Sequence, residues 1–198
     1  MMKLRTSPGS PYGRKAALAI HLLGLESRFQ FVDADQDVGD RIRKLNPLNK
    51  VPILVLEDDS VIFDSPVIVE YIDAVAGGGK IIPTEVKARF RALTLQALAD
   101  GMMDSCGFVA YESRWHTPEQ CSATWIAHQQ AKIEKAADEL EKAPPSGPVD
   151  VGQIALICAM DYMDKRNEGK WRNGRPKLVA WRDAFVKDVA AYSKLPAF

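Results

Sequence analysis

NPLNKVPILVLEDDSVIFDSPVIVEY, residues 46 to 71, contains two short apolar runs and three prolines, Pro47, Pro52 and Pro66. The runs PILVL and SVIF are separated by the acidic EDD, a pattern typical of two strands joined by a hairpin. Ser65 and Pro66 then begin a segment with helical periodicity, which ends at the glycines 77 to 79. This stretch therefore predicts a hairpin followed by a helix.

The residues before this stretch alternate between strand and helix patterns. KLRT, residues 3 to 6, and RFQFVDA, residues 28 to 34, are strand candidates. Between them, Pro11 to Leu23 has the periodicity of a helix. The polar residues 35 to 50 are compatible with an irregular helix that ends at the Asn-Pro pair. The N-terminal part is therefore predicted to be an α/β domain.

The residues after this stretch carry no strand pattern and predict an all-α domain. The segment AGGGKIIPT, residues 76 to 84, marks the boundary, which divides the chain into residues 1–79 and 80–198. Asp150 and Gln153 form a capping-box pattern at the start of the third predicted helix of this half. The apolar segment that follows predicts that this helix is buried. The predicted helices span residues 85–111, 118–142, 150–166 and 176–191, and residues 112–120 are predicted to form an interhelix loop.

The composition narrows the class of protein. Among 198 residues, 26 are basic and 26 are acidic, so no strong net field attracts nucleic acid or an anionic membrane surface. The three cysteines, Cys106, Cys121 and Cys158, lack metal-ligand spacing, and their odd number favours a reducing compartment over a disulfide framework. No signal peptide or membrane span is indicated. We therefore expect a cytoplasmic protein without bound metal, nucleic acid or membrane.

Ser10 and Pro11 form a helix start that has two interpretations. Serine caps the first-turn amides and proline loses no needed donor, which explains the pair structurally. However, Arg14 and Lys15 stand in the first turn, where the helix dipole disfavours cations. An anion such as a thiolate at this helix end would relieve that conflict, and the alternative is that both cations are solvated or paired with surface acids such as Asp33.

Two further motifs suggest contacts for a peptide-like ligand. A cis bond before Pro52 would expose the backbone of Val51 for pairing with another peptide, although trans is the commoner form. Asp64 and Ser65 stand at the end of a predicted strand and the start of a helix, where they would hold an amino-acid head group. Simple helix capping is again the alternative. Together, the three motifs describe a receptor for a short peptide bearing a thiolate.

Four segments resemble the glutathione transferases over essentially the whole chain. They are SPGSPYGRK, NPLNKVP, DSPVIVEYID and VDVGQIALICAMDYMD. The resemblance implies a thioredoxin-like N-terminal domain, an all-helical C-terminal domain and a homodimer. SPYGRK is similar to the Ser-Pro start of the serine-type members, including many from bacteria.

The resemblance implies a role for each motif. Ser10 would be the catalytic hydroxyl that hydrogen-bonds the glutathione sulfur, and Ser7 is the weaker candidate because it precedes the turn. The implied glutathione-binding residues are Lys50 for the glycyl carboxylate, Val51 for the cysteinyl backbone, Pro52 in the cis form, and Asp64 with Ser65 for the γ-glutamyl group.

The resemblance also implies the reaction. Serine rather than cysteine at position 10 favours conjugation of glutathione to small apolar electrophiles, a detoxification chemistry, over thiol transfer. A glutathione-dependent isomerase or peroxidase and a non-catalytic binding protein are the alternatives. An electrophile site is expected between the domains. The alternative is that the apolar residues at these positions only pack in the core. Its candidate residues are Tyr12, Met102, Met103, Cys106, Val109 and Ala110.

Overall fold

A computed structural model describes residues 1–36 and 41–196. Four strands and seven α-helices occur in these residues, and the expectation of an α/β half followed by an all-helical half is confirmed. In chain order they are β1 (Met2–Thr6), α1 (Pro11–Leu22), β2 (Phe29–Asp33), α2 (Arg41–Leu45), β3 (Ile53–Val55), β4 (Val61–Ile62), α3 (Ser65–Val75), α4 (Val86–Trp115), α5 (Ala123–Lys142), α6 (Val151–Arg166) and α7 (Pro176–Asp188).

The four strands form one mixed sheet in the order β2-β1-β3-β4. β1 and β2 are parallel and are joined through α1, as parallel neighbours require a crossover connection. β3 is antiparallel to both β1 and β4, which confirms the predicted hairpin. Alternate residues of β1, Met2 and Leu4, are buried, so one face of this strand faces the core.

The helical half is organised around α6. Every residue from Val151 to Met163 is buried, as the apolar segment predicts. Asp150 caps this helix, since its carboxylate accepts a hydrogen bond from the Gln153 amide at 3.0 Å. The Gln153 side chain donates to the Pro148 carbonyl at 2.9 Å rather than back to Asp150, so only half of the predicted capping box forms. No helix in the described residues has the length and apolar character needed to span a membrane.

A buried carboxylate anchors the connection between the two halves. Asp73, near the end of α3, accepts hydrogen bonds from the backbone amides of Gly79, Lys80 and Ile81 at 2.8 to 2.9 Å. The Ile81 carbonyl in turn accepts from the Val151 amide at 2.8 Å, at the start of α6. The predicted boundary at residues 79 and 80 lies within this anchored segment.

The region between α4 and α5 differs from the prediction. Helix α4 continues to Trp115, so the first four residues of the predicted loop 112–120 are helical. Helix α5 begins at Ala123 rather than at Pro118, because the Ser122 hydroxyl accepts from the Trp125 amide at 3.2 Å and caps the helix there. Pro118 lies in the preceding turn. Helix α7 also ends earlier than predicted, at Asp188 rather than at residue 191, and a 3₁₀ turn (Ala190–Lys194) follows it.

Close packing of α6 on α4 leads to a stability prediction. A methyl group at Gly152 would lie 2.6 Å from the Ala92 carbonyl oxygen and 2.7 Å from the Leu95 Cβ. We expect Gly152→Ala to lower the free energy of unfolding by about 1–3 kcal/mol, the usual cost of overpacking. Gly101 in α4 is the control, because a methyl group there meets nothing within 4 Å. Gly101→Ala should raise the free energy of unfolding by about 0.5–1 kcal/mol. Urea unfolding compares the variants, and equal stability would contradict the prediction.

Candidate functional site

The register of the strands brings three chain segments to one edge of the sheet. Arg5 of β1 lies opposite Ile53 of β3, so the chain that leaves β1 passes beside residues 51 and 52. Leu54 of β3 lies opposite Ile62 of β4, so the chain that leaves β4 reaches the same edge. The helices that follow, α1 and α3, pack against each other. The three predicted ligand-binding motifs are therefore neighbours in space.

Ser10 caps α1 and still has a hydrogen to donate. Its hydroxyl oxygen accepts from the Gly13 amide at 3.2 Å, and its proton has no acceptor within the part of the chain that the structure describes. Ser7 differs, because its hydroxyl donates to Asp35 at 2.9 Å and accepts from the Gly9 amide at 3.3 Å. Of the two hydroxyls, only that of Ser10 has its donor available to a ligand.

The helix end that carries Ser10 packs directly on the strand that precedes it. A methyl group at Gly13 would lie 1.5 Å from the Thr6 side-chain oxygen, so no larger residue fits without displacing α1. Pro11 and Gly13 are both buried. The start of α1, which carries Ser10, is thus held close to β1.

The two cations of the first turn are neutralised by the helical domain. The Lys15 ammonium is fully buried and contacts both Asp100 carboxylate oxygens at 2.7 and 2.8 Å. Arg14 contacts Asp161 at 3.1 Å. Pairing with Asp33, considered from the sequence, is therefore wrong, because α4 and α6 provide closer carboxylates. The cations do not call for an external anion at this helix end.

Asp161 connects α1 with the C-terminal segment, defined here as residues 190–196. This buried carboxylate accepts hydrogen bonds from the Tyr192 hydroxyl at 2.9 and 3.0 Å, in addition to its contact with Arg14. Arg14 also donates to the Pro196 carbonyl at 2.6 Å. These contacts hold the C-terminal segment against the helix that begins at Ser10.

The Val51–Pro52 peptide bond is cis, as the resemblance implies. Neither the amide nor the carbonyl of Val51 has a hydrogen-bond partner among residues 1–36 and 41–196. The preceding loop is ordered by Asn46, whose side chain donates to the Lys50 carbonyl and accepts from the Leu48 amide, both at 3.0 Å. The sequence predicts a helix end at Asn46, and Asn at such a position also commonly hydrogen-bonds the backbone of the turn that follows. The Lys50 side chain is exposed.

Asp64 and Ser65 stand at the start of α3. Asp64 is exposed, and its carboxylate makes no capping hydrogen bond to the helix. Ser65 is buried with 2% of its surface exposed. Simple capping by Asp64, the alternative considered from the sequence, is thus absent in this arrangement. Both residues follow β4, whose last residue, Ile62, lies opposite Leu54 of β3.

The residues predicted for the electrophile site lie at different depths. Met102, Met103 and Cys106 are core residues with at most 3% of their surface exposed. Burial raises the pKa of the Cys106 thiol to about 11, so it stays protonated at neutral pH. Tyr12 donates a short hydrogen bond to Asp104, and burial and this contact raise its pKa. Val109 and Ala110 are partly exposed.

A groove of about 420 Å³ runs along α1 on the side that faces β2, and it was not predicted from the sequence. The loop after β1 and the C-terminal segment complete its walls. No local pattern could indicate it, because its sides come from both ends of the chain. Residues that line it include Ser10, Ala17, Phe31, Val32, Leu195 and Pro196.

Comparison with known proteins matches both halves of the chain. Residues 9–75 match the family model for the glutathione S-transferase N-terminal domain, and residues 123–184 match that for the C-terminal domain. An uncharacterized GST-like protein of Escherichia coli (strain K12), YibF, is 34% identical over 185 residues, 90% of either chain.

Solved structures agree with the family models. A glutathione transferase family member from Pseudomonas fluorescens Pf-5 with bound glutathione is 32% identical, with a TM-score of 0.93 over 100% of both chains. A structure of a family member from the same organism with bound S-(propanoic acid)-glutathione is 33% identical, with a TM-score of 0.87 over 99% of this chain and 100% of that one. The chain therefore belongs to the glutathione S-transferase family.

Proposed function

We propose that this protein conjugates glutathione to small apolar electrophiles and that Ser10 stabilises the glutathione thiolate. The observation that carries the proposal is the free hydrogen of the Ser10 hydroxyl at the start of α1. A hydroxyl that donates to a thiolate favours the ionised form, and the helix N-terminus adds a positive partial charge. Neither Arg14 nor Lys15 is required to stabilise the thiolate, because both are already paired with carboxylates.

The remaining motifs account for the rest of glutathione. The unpartnered backbone of Val51 is suited to pair with the cysteinyl backbone, as strand addition requires. Asp64 would bind the γ-glutamyl ammonium while Ser65 and the start of α3 bind its carboxylate. Lys50 would contact the glycyl carboxylate. The related Pseudomonas structure, which contains bound glutathione, supports glutathione as the ligand.

In the proposed reaction, the thiolate sulfur forms a bond to an electrophilic carbon. The displaced electron pair leaves with a leaving group or, in an addition, moves onto the electrophile and is then protonated. The protein contributes thiolate stabilisation and proximity, which together favour attack by an already ionised nucleophile. The described cysteines are free, which supports a reducing compartment such as the cytoplasm.

Calorimetric titration of glutathione in buffers of different ionisation enthalpy tests the proposal. We expect binding near pH 7 with release of a proton, because the free thiol has a pKa of about 8.5 and the bound one a lower value. We also expect the protein to conjugate glutathione to several electrophiles in activity assays. Absence of glutathione binding would contradict the proposal. Binding without any turnover would favour a non-catalytic binding protein.

We further propose a homodimer formed through α3 and α4. Three exposed apolar residues, Val67, Val86 and Phe90, lie on these helices around the Glu70–Arg89 ion pair of 2.7 Å. Exposed apolar patches often mark interfaces between chains.

Sedimentation velocity at micromolar concentration should give the mass of two chains, and Phe90→Asp should give one. Phe108, which is exposed elsewhere on α4, supplies the control, since Phe108→Asp should leave the dimer intact. A wild-type protein of single-chain mass would contradict the proposed dimer.

A further inference from the structure

The Arg182 cavity, of about 560 Å³, is lined by residues of α1, α6, α7 and the C-terminal segment. Its volume is within the range of small-molecule binding sites. Arg14 and Leu195 line both this cavity and the groove along α1, but Ser10 lines only the groove among the residues that the structure describes. The Arg182 cavity is therefore distinct from the proposed sulfur site.

The lining of the Arg182 cavity carries more basic than acidic side chains within the described part of the chain. Its basic residues are Arg14, Lys165 and Arg182, which come from three different helices. Its acidic residues are Asp161 and Asp164, both from α6. An excess of positive charge in a partly enclosed site favours an anionic ligand.

Both carboxylates of the Arg182 cavity already accept hydrogen bonds from the protein. Asp161 accepts from the Tyr192 hydroxyl at 2.9 and 3.0 Å and from the Arg14 Nε at 3.1 Å. Asp164 accepts from the Arg172 Nε at 3.1 Å. These contacts neutralise the acidic part of the lining, so the cavity is poorly suited to bind a cation.

Arg182 has hydrogen-bond donors that the protein uses weakly or not at all. Its Nη atoms lie 3.4 Å from oxygens of Asp161 and Asp183, which is longer than the distance of about 2.7–2.9 Å usual for hydrogen bonds between charged groups. Its Nε is shielded from solvent and has no hydrogen-bond partner among residues 1–36 and 41–196. A buried donor without an acceptor is unfavourable, and an oxyanion in the cavity would supply that acceptor.

We propose that the Arg182 cavity binds a small organic carboxylate. The two oxygens of the ligand accept from Nε and a neighbouring Nη of Arg182, because the planar guanidinium matches a carboxylate with two parallel hydrogen bonds. Leu195 and Pro196 provide apolar contact for the rest of the molecule. Binding at this site is independent of the proposed function and involves no covalent step.

Calorimetry with benzoate and benzamide tests the proposal in the wild-type protein. The two probes have nearly the same shape, but benzamide carries no charge and cannot accept both hydrogen bonds of the guanidinium. We expect benzoate to bind at one site per chain and benzamide to bind about tenfold or more weakly. Absence of benzoate binding, or equal affinities for the two probes, would overturn the proposal. Inorganic phosphate is the third probe, and tighter binding of phosphate than of benzoate would overturn the assignment to a carboxylate.

Two variants of Arg182 locate the site of benzoate binding. Arg182→Gln should weaken it about tenfold or more, and Arg182→Lys should give an intermediate affinity, because lysine keeps the charge but not the paired donors. Lys187→Gln is the matched control, since it removes one positive charge from an exposed position of α7 outside the cavity.

Circular dichroism verifies that each variant compared is folded. If Arg182→Gln does not fold, Arg182→Lys still tests the paired donors. An unchanged benzoate affinity in a folded Arg182 variant would overturn the proposal, as would an equal loss of affinity in Lys187→Gln.

Discussion

Ser10→Ala is expected to reduce kcat for conjugation near neutral pH by about 10- to 100-fold, with little change in the Kd of glutathione. The variant loses the donor that the structure leaves available to sulfur, while the contacts expected for the rest of glutathione remain. A hydrogen bond to a charged group contributes about 1.5–3 kcal/mol, which corresponds to a rise of about one to two units in the pKa of the bound thiol. Ultraviolet absorbance of the thiolate across a pH titration measures that pKa directly.

Ser7→Ala serves as the control for this prediction. Ser7 lies in the same loop as Ser10, but its hydroxyl donates to Asp35 after β2, so its loss perturbs the loop without removing a donor to sulfur. We expect the pKa of bound glutathione to change only in the Ser10 variant. Ser10→Ala also loses the cap to Gly13, which costs about 1 kcal/mol of stability. Its rates are therefore to be compared at a temperature where both variants are fully folded. An unchanged thiol pKa in Ser10→Ala would refute the role of the hydroxyl.

The parts of the site that depend on local sequence are predictable. The helix start at Ser10 and Pro11 and the hairpin after Pro52 follow from capping and turn preferences that act over a few residues. The meeting of the three motifs follows from strand order, which a resemblance to a known family supplies and periodicity alone does not. The buried α6 is predictable for the same local reason, since it is apolar on every side.

The electrostatic setting of the site is not predictable from local sequence. Arg14 and Lys15 pair with carboxylates 147 and 85 residues away, on helices whose approach to α1 depends on packing of the whole chain. A sequence pattern shows that two cations share the first turn, but it does not indicate which acids neutralise them. For this reason the sequence pattern indicates an anionic ligand near these cations, whereas the protein neutralises them with its own carboxylates.

The hydrogen bonds of Asp73 and the groove along α1 are not predictable from local sequence either. Asp73 is one of two acidic residues on its predicted helix, and only the turn of the glycines 77 to 79 brings three amides to its carboxylate. The groove requires the C-terminal segment to return to α1. Such features arise from residues distant in sequence, so single-segment patterns do not reveal them.

Asp100→Asn is expected to lower the free energy of unfolding by about 3–5 kcal/mol, because it leaves the Lys15 ammonium buried without a counter-charge. Lys15 has no exposed surface, and both carboxylate oxygens of Asp100 contact its nitrogen. Burial also raises the pKa of Asp100, against the opposing effect of Lys15. Urea unfolding at constant pH measures the loss.

Two comparisons separate the buried charge from a general effect of substitution. Glu139→Gln breaks the exposed Lys142–Glu139 pair of 2.5 Å on α5 and should cost less than about 1 kcal/mol. The double variant Lys15→Met with Asp100→Leu removes both charges and should recover most of the stability lost in Asp100→Asn, because apolar residues can replace a buried pair at little cost. If the double variant were as unstable as Asp100→Asn, packing rather than charge would explain the loss. Recovery would instead mean that Asp100 mainly neutralises the charge of Lys15. Lys15 would then not be needed for the proposed thiolate, whose stabilisation we assign to the Ser10 hydroxyl and the helix N-terminus.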